Sequence, residues 1–120
     1  FVEDIYYLAS MLSAQDDLTV LQVKDYIKNP KENGYRSLHL IIQTPIFLSD
    51  QKKNMRVEVQ FRTIAMDFWA SVDHKLKYKK NVKNPEMIAG ELRKCADIIS
   101  SVDQRMQEIR TMIEEGENDD

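Results

Sequence analysis

From Pro85 onward the apolar residues fall into one unbroken pattern. Ile88, Leu92, Cys95, Ile99, Val102, Met106, Ile109 and Ile113 follow one another at alternating spacings of four and three. That is a heptad seam, with Leu92, Ile99, Met106 and Ile113 at a and the rest at d. Asn84-Pro85-Glu86 supplies a helix start, with Asn as cap, Pro at the first helical position and an acid in the first turn. Gly116 is the expected stop. A helix over 85–115 is about 46 Å long at ~1.5 Å per residue. No small sheet covers that length, so part of the helix must pack on another helix, in this chain or in a partner.

The remaining chain has room for one modest α/β unit. Val2, Ile5, Leu8, Ala9 and Leu12 recur at helical spacing, which predicts a helix over 2–14, ended by Asp16-Asp17. Residues 18–27 are rich in β-branched and aromatic types and predict a strand. Asn29-Pro30 and Asn33-Gly34 bracket a loop. A second strand is expected at 35–44, followed by a polar connection holding Pro45, Ser49, Asp50 and Asn54, then a third strand at 55–61. In the third strand Met55, Val57, Val59 and Phe61 alternate with Arg56, Glu58, Gln60 and Arg62, so one face enters a core and the other stays polar. In the second, Leu38, Leu40 and Ile42 oppose Tyr35, Ser37, His39 and Gln43. An antiparallel hairpin of the two gathers Tyr35, His39, Glu58, Gln60 and Arg62 on one face. After Thr63, a candidate cap, Ala65, Phe68, Trp69, Val72 and Leu76 predict a helix to about residue 79.

Composition narrows the class. Three Gly and three Pro exclude collagen-like or low-complexity character, and 42% hydrophobic with 31% charged residues is globular. One Cys excludes a disulfide framework or a multi-Cys zinc site and fits a reducing cytoplasm. No apolar run approaches the ~20 residues of a membrane span, so no membrane partner is expected. The chain opens on Phe-Val-Glu-Asp rather than Met, as a piece of a longer protein would. The net charge of −3 conceals a division. Residues 1–20 hold four acids and no Lys or Arg, residues 21–83 thirteen bases against six acids, and residues 84–120 four bases against ten acids. A basic middle in an acidic chain is either a polyanion site or a solvated surface.

Within that middle, Lys24, Lys28 and Lys31 surround a Gly-containing turn that leads to Tyr35 and His39. Lysines neutralise phosphate, a Tyr ring stacks on a base, and Asn or His hydrogen-bonds a ring edge. The same residues equally describe a surface hairpin with solvated lysines. Glu58, the lone carboxylate of its strand, is either a proton acceptor or Mg²⁺ ligand, or half of a cross-strand ion pair. His74 has no His or Cys at metal-ligand spacing and is expected at the surface or in packing.

Lys24-Asp25-Tyr26-Ile27, Pro30-Lys31, Asn33-Gly34-Tyr35, Ser37 and His39, followed by Glu58-Val59-Gln60-Phe61-Arg62-Thr63, Met66 and Trp69-Ala70, resemble the (p)ppGpp synthetase domain of RelA/SpoT-type proteins. Two separate motifs in the right order carry the resemblance over about residues 1–80. The heptad tail resembles that of the small alarmone synthetases, in particular a form that assembles as a tetramer through its helices.

The resemblance implies a nucleotidyltransferase-like mixed sheet flanked by helices, with the long heptad helix at the C-terminus. Residues 1–83 would be the acceptor-nucleotide part, 84–116 the packing or oligomerising helix, and 117–120 an acidic tail. It implies a cytoplasmic GTP pyrophosphokinase that moves the β,γ-pyrophosphate of ATP to the 3′-hydroxyl of GTP or GDP with Mg²⁺. Tyr35 would stack on the acceptor guanine through its ring rather than its hydroxyl. Asn33, His39 and the Ala70 backbone would help hold the acceptor, and Lys24 and Lys31 would neutralise its phosphates. Glu58 would be the catalytic carboxylate or Mg²⁺ ligand, supported by Gln60 and Arg62. The family's ATP-binding stretch and its second Mg²⁺ carboxylate do not occur here, so the N-terminal part of the fold is expected to be absent and the fragment alone inactive. A rival is a module that holds single-stranded RNA or a nucleotide without catalysis.

Overall fold

A computed structural model describes residues 1–79 and 81–118. Its elements are α1 (Val2–Ser13), β1 (Thr19–Asp25), β2 (Leu38–Phe47), β3 (Lys52–Phe61), α2 (Ile64–Tyr78) and α3 (Pro85–Asn118). The strands form one antiparallel sheet in the order β1-β2-β3, so neither the β1 nor the β3 outer edge is paired within the described residues.

The alternation in β2 and β3 sets the core. Leu38, Leu40 and Ile42 are buried together with Ile5 and Ala9 of α1 and Met66 of α2. Val59 and Phe61 pack against this cluster, whereas Met55 and Val57 stay substantially exposed beyond it. Tyr6 ties α1 to the end of β1 by donating to both carboxylate oxygens of Asp25, at 3.1 and 2.9 Å.

The hairpin is longer than alternation alone predicts. Pro45 pairs with Asn54 and Phe47 with Lys52, and only Leu48–Gln51 form the turn. Pro45 is tolerated because β1 stops pairing at Gln43, so from there β2 has a neighbour on one side only. The start of β2 is correspondingly late. Residues 35–37 are loop, because Lys31 N donates to Tyr35 O and Tyr26 N to Ser37 O, folding the chain back on itself.

Thr63 caps α2 as expected, its Oγ1 accepting from Met66 N at 3.1 Å. The same hydroxyl donates to Asp103 Oδ2 at 2.7 Å, which fixes α2 on α3. Asn84 sits at φ 53 with its carbonyl accepting from Ile88 N, so it enters α3 through left-handed backbone rather than as an extended cap. Nor does Gly116 end α3. A helical Gly costs only about 1 kcal/mol relative to Ala, and the helix continues to Asn118. Of the expected acidic tail, Asp119 and Asp120 lie outside the described residues.

The heptad seam and the packed face of α3 coincide only at first. Ile88, Leu92 and Ile99 are half-buried, and Ala96 is fully buried. After Ile99 the inward positions are Asp103, Gln107 and Arg110. Gln107 bonds Glu3 and Arg110 bonds Asp4 at the acidic start of α1. Val102, Met106, Ile109 and Ile113 face outward, 41–57% exposed. The main helical neighbour of α3 among the described residues is α2, which is 15 residues long against 34.

Candidate functional site

The loop between β1 and β2 takes its shape from Asn33 and Gly34. Asn33 Oδ1 accepts from Tyr35 N at 3.0 Å, and Gly34 turns the chain at φ 102. A Cβ on Gly34 would lie 2.7 Å from that of Ala96, so α3 approaches this loop as closely as a residue without a side chain allows. The helix also grips the loop chemically. Arg36 donates to Ala96 O at 2.7 Å and pairs with Asp97, and Arg93 donates to Glu32 O, while Trp69 Nε1 of α2 donates to Leu92 O at 2.7 Å beside the loop.

Held in this way, Tyr35 reaches the polar face of the sheet although it is not on a strand. Its hydroxyl lies 2.8 Å from His39 Nε2, and Arg62 Nη2 donates to the same oxygen at 2.8 Å. His39 Nδ1 lies 2.8 Å from Glu58 Oε1. A carboxylate only accepts and a guanidinium only donates, and a neutral His39, donating from Nδ1, leaves Nε2 as the acceptor. The guanidinium donates to the Tyr oxygen, the Tyr O–H to Nε2, and Nδ1–H to the carboxylate. The buried Arg62 Nε has no partner among the described residues, whereas with His39 neutral both of its ring nitrogens are hydrogen-bonded. Its burial lowers its pKa below the usual His value, reinforced by the Arg62 and Lys31 charges and opposed by Glu58. Burial acts against the Arg62 charge, but its bonds to Tyr35 and Asp67 more than offset this and raise its pKa. Arg62 Nη2 also donates to Gln60 Oε1 at 2.8 Å. The expected ion pair of Glu58 is therefore a bond to His39, and the Tyr35 hydroxyl has a place that the ring-only expectation did not give it.

Lys31, Asn33, Tyr35 and Arg62 form one wall of a cavity of about 490 Å³. Ala70, Ser71, Asp73, His74, Lys75 and Lys77 of α2 form the other. The Lys31 ammonium sits 4.9 Å from the Tyr26 ring centre and 5.2 Å from that of Tyr35, and the Arg62 guanidinium lies 5.4 Å from the latter. A cavity of this size with an aromatic and several cations suits a planar, anionic ligand.

Of the residues singled out from sequence, Lys31, Asn33, Tyr35, Arg62 and Ala70 meet at this cavity. His39, Glu58 and Gln60 join it through hydrogen bonds rather than by lining it. Lys24 pairs with His39 in the ladder and does not line the cavity. The contribution of α2 beyond Ala70 was missed, His74 included, although positions 70, 73, 74 and 77 share one helical face.

Among the described residues no three His, Cys, Asp or Glu side chains cluster to hold a metal. Glu58 suits one position on a hard cation. Its side chain is 45% exposed, and Oε2 has no hydrogen-bond partner among the described residues. Mg²⁺ usually takes only one or two protein carboxylates and completes its shell with phosphate and water.

Residues 1–83 match the model of the region found in RelA/SpoT proteins. The chain is 45% identical over 114 residues to the GTP pyrophosphokinase YwaC of Bacillus subtilis, covering 95% of this chain and 54% of that protein. With the GTP pyrophosphokinase YjbM of the same organism it shares 40% identity over 117 residues, covering 98% and 56%. The chain thus spans about half the length of the curated relatives it matches. Its structure superposes on small alarmone synthetase 2 of B. subtilis with a TM-score of 0.89 at 46% identity, over 93% of this chain and 61% of that one. For small alarmone synthetase 1 of B. subtilis bound to its product pppGpp, the TM-score is 0.87 at 41% identity, over 94% and 58%.

Proposed function

The chain belongs to the RelA/SpoT family, and on that premise we propose that the protein it comes from is a GTP pyrophosphokinase. Residues 1–83 form the acceptor-nucleotide part of the site, and α3, expected from sequence over 84–116, packs on it and joins copies together. The 3′-oxygen of GTP or GDP attacks the β-phosphorus of ATP, the bond from that phosphorus to the α-phosphate oxygen breaks, and AMP leaves with the electron pair. The single observation that carries this reading is the hydrogen-bonded chain Arg62–Tyr35–His39–Glu58. It links a cationic, aromatic-walled cavity to one carboxylate with a free oxygen.

Each residue has a task that its position supports. Tyr35 and Asn33 meet the guanine, with the Ala70 backbone across the cavity and His39 behind. One of the cations at the Tyr35 ring gives way to the base and stays within reach of phosphate. Lys31 and Lys24 counter the acceptor's charge. Glu58, its orientation held by His39, takes the 3′-hydroxyl proton through Oε2 or ligates Mg²⁺ there, while Gln60 and Arg62 hold the arrangement. Mg²⁺, when bound, neutralises charge building on the transferred phosphates.

The outward stripe of α3 supports a homo-oligomer, read as a tetramer by analogy with the small alarmone synthetases. No helix among the described residues is long and apolar enough to cross a membrane. A reaction that consumes ATP and GTP is consistent with a cytoplasmic enzyme. Full-length protein incubated with ATP, GTP and Mg²⁺ tests the reading. Formation of AMP and a guanosine pentaphosphate is expected, whereas a module that merely holds RNA or nucleotide gives neither.

A further inference from the structure

Resting on the pyrophosphokinase reading, we infer that Asp73 selects guanine in the acceptor by accepting hydrogen bonds from its N1–H and 2-amino groups. Four of the groups around the cavity are cations: Lys31, Arg62, Lys75 and Lys77. Asp73 is the one carboxylate among the described residues that line it. A carboxylate beside a triphosphate is repulsive, so Asp73 marks the end of the cavity where the phosphates are not. That is the base end. Asp73 lies one helical turn beyond Ala70, on the wall opposite Tyr35.

Its setting differs from that of an ordinary pair on a helix surface. Asp73 Oδ2 meets Lys77 Nζ at 3.1 Å, yet the carboxylate is the covered member at 16% exposure and the ammonium the open one at 62%. Oδ1 has no hydrogen-bond partner among the described residues, and each carboxylate oxygen has two acceptor positions. Guanine presents two adjacent N–H donors along one edge, a match for two carboxylate oxygens. Adenine presents a lone pair at N1 beside a single amino group, and that lone pair faces the carboxylate unfavourably. A reaction that uses ATP as donor needs such a distinction at its acceptor site.

Full-length wild-type and Asp73→Asn proteins are compared with GTP, ITP and XTP as acceptors. Wild type is expected to use ITP, which lacks the 2-amino group, about tenfold less efficiently than GTP, the lower end of what a paired hydrogen-bond contact confers. Asp73→Asn is expected to lose about tenfold or more in kcat/KM for GTP and to gain on XTP, whose 2-oxo group accepts from the new amide. Wild type that uses ITP as well as GTP overturns the inference, and this measurement holds even if the variant misfolds. A variant unchanged on GTP, or one that loses GTP and XTP alike, also overturns it. Failure of the underlying reading looks different: wild type then transfers pyrophosphate to no acceptor at all.

Discussion

With its ring neutral, His39 accepts from Tyr35 at Nε2 and donates to Glu58 from Nδ1, and it is the Nε2 bond that protonation would reverse. Two substitutions test what that order does. In the full-length protein, Glu58→Gln is expected to abolish turnover while GTP affinity stays within about threefold, because the lost charge acts on the transition state rather than the ground state. Retention of a tenth or more of the wild-type kcat would rule out the role. Tyr35→Ala should weaken GTP binding by ~1–3 kcal/mol, the range for base–aromatic stacking. Tyr35→Phe keeps the ring but leaves Arg62 Nη2 and His39 Nε2 without their shared partner, at about 1 kcal/mol. Calorimetry therefore expects an intermediate value for Phe, with kcat reduced as well, since Glu58 is oriented through the same bonds. A Phe variant equal to wild type in both would remove the hydroxyl from the site.

Among the elements, α3 shapes the site without lining its cavity. It holds the loop at Gly34 and Arg36, α2 at Trp69 and Thr63, and α1 at Asp4. Gly34→Ala tests the tightest of these contacts. The new methyl would lie 2.7 Å from the Ala96 methyl at φ 102, where side chains are disfavoured. A stability loss of ~1–3 kcal/mol is expected in urea unfolding, together with weaker GTP binding as the loop moves off the helix. Unchanged stability would mean that the close approach is not maintained in solution. The sheet and α2 were legible from alternation and capping, because period and cap are local properties. The loop's grip on α3 was not, since Arg36 and Ala96 are 60 residues apart.

For the whole molecule, the radius of gyration of 18.6 Å exceeds the ~14 Å of a compact domain of this length. The excess reflects α3 running past the elements that cover it. Ile98, Met106, Ile109, Met112 and Ile113 are 47–62% exposed along that length. Ile109→Asp places a charge in the outward stripe and removes nothing from the core, so the fold should survive while assembly does not. Light scattering is expected to show an oligomer for the full-length protein and a smaller species for the variant. A wild-type monomer at micromolar concentration would refute assembly through α3.

By itself the sequence determined the features that depend on neighbours along the chain. These are the six elements, the two faces of the β2–β3 hairpin, the Thr63 cap, the heptad stripe, and the grouping of Tyr35, His39, Glu58, Gln60 and Arg62. Tertiary structure decided the rest. It made Tyr35 a loop residue whose hydroxyl completes a hydrogen-bond chain, and it turned a face of α2 into a cavity wall carrying Asp73 and His74. It also divided the seam of α3 into a packed beginning and an exposed remainder. Periodicity records which side chains share a face, whereas the surface that meets that face depends on contacts between residues far apart in the chain.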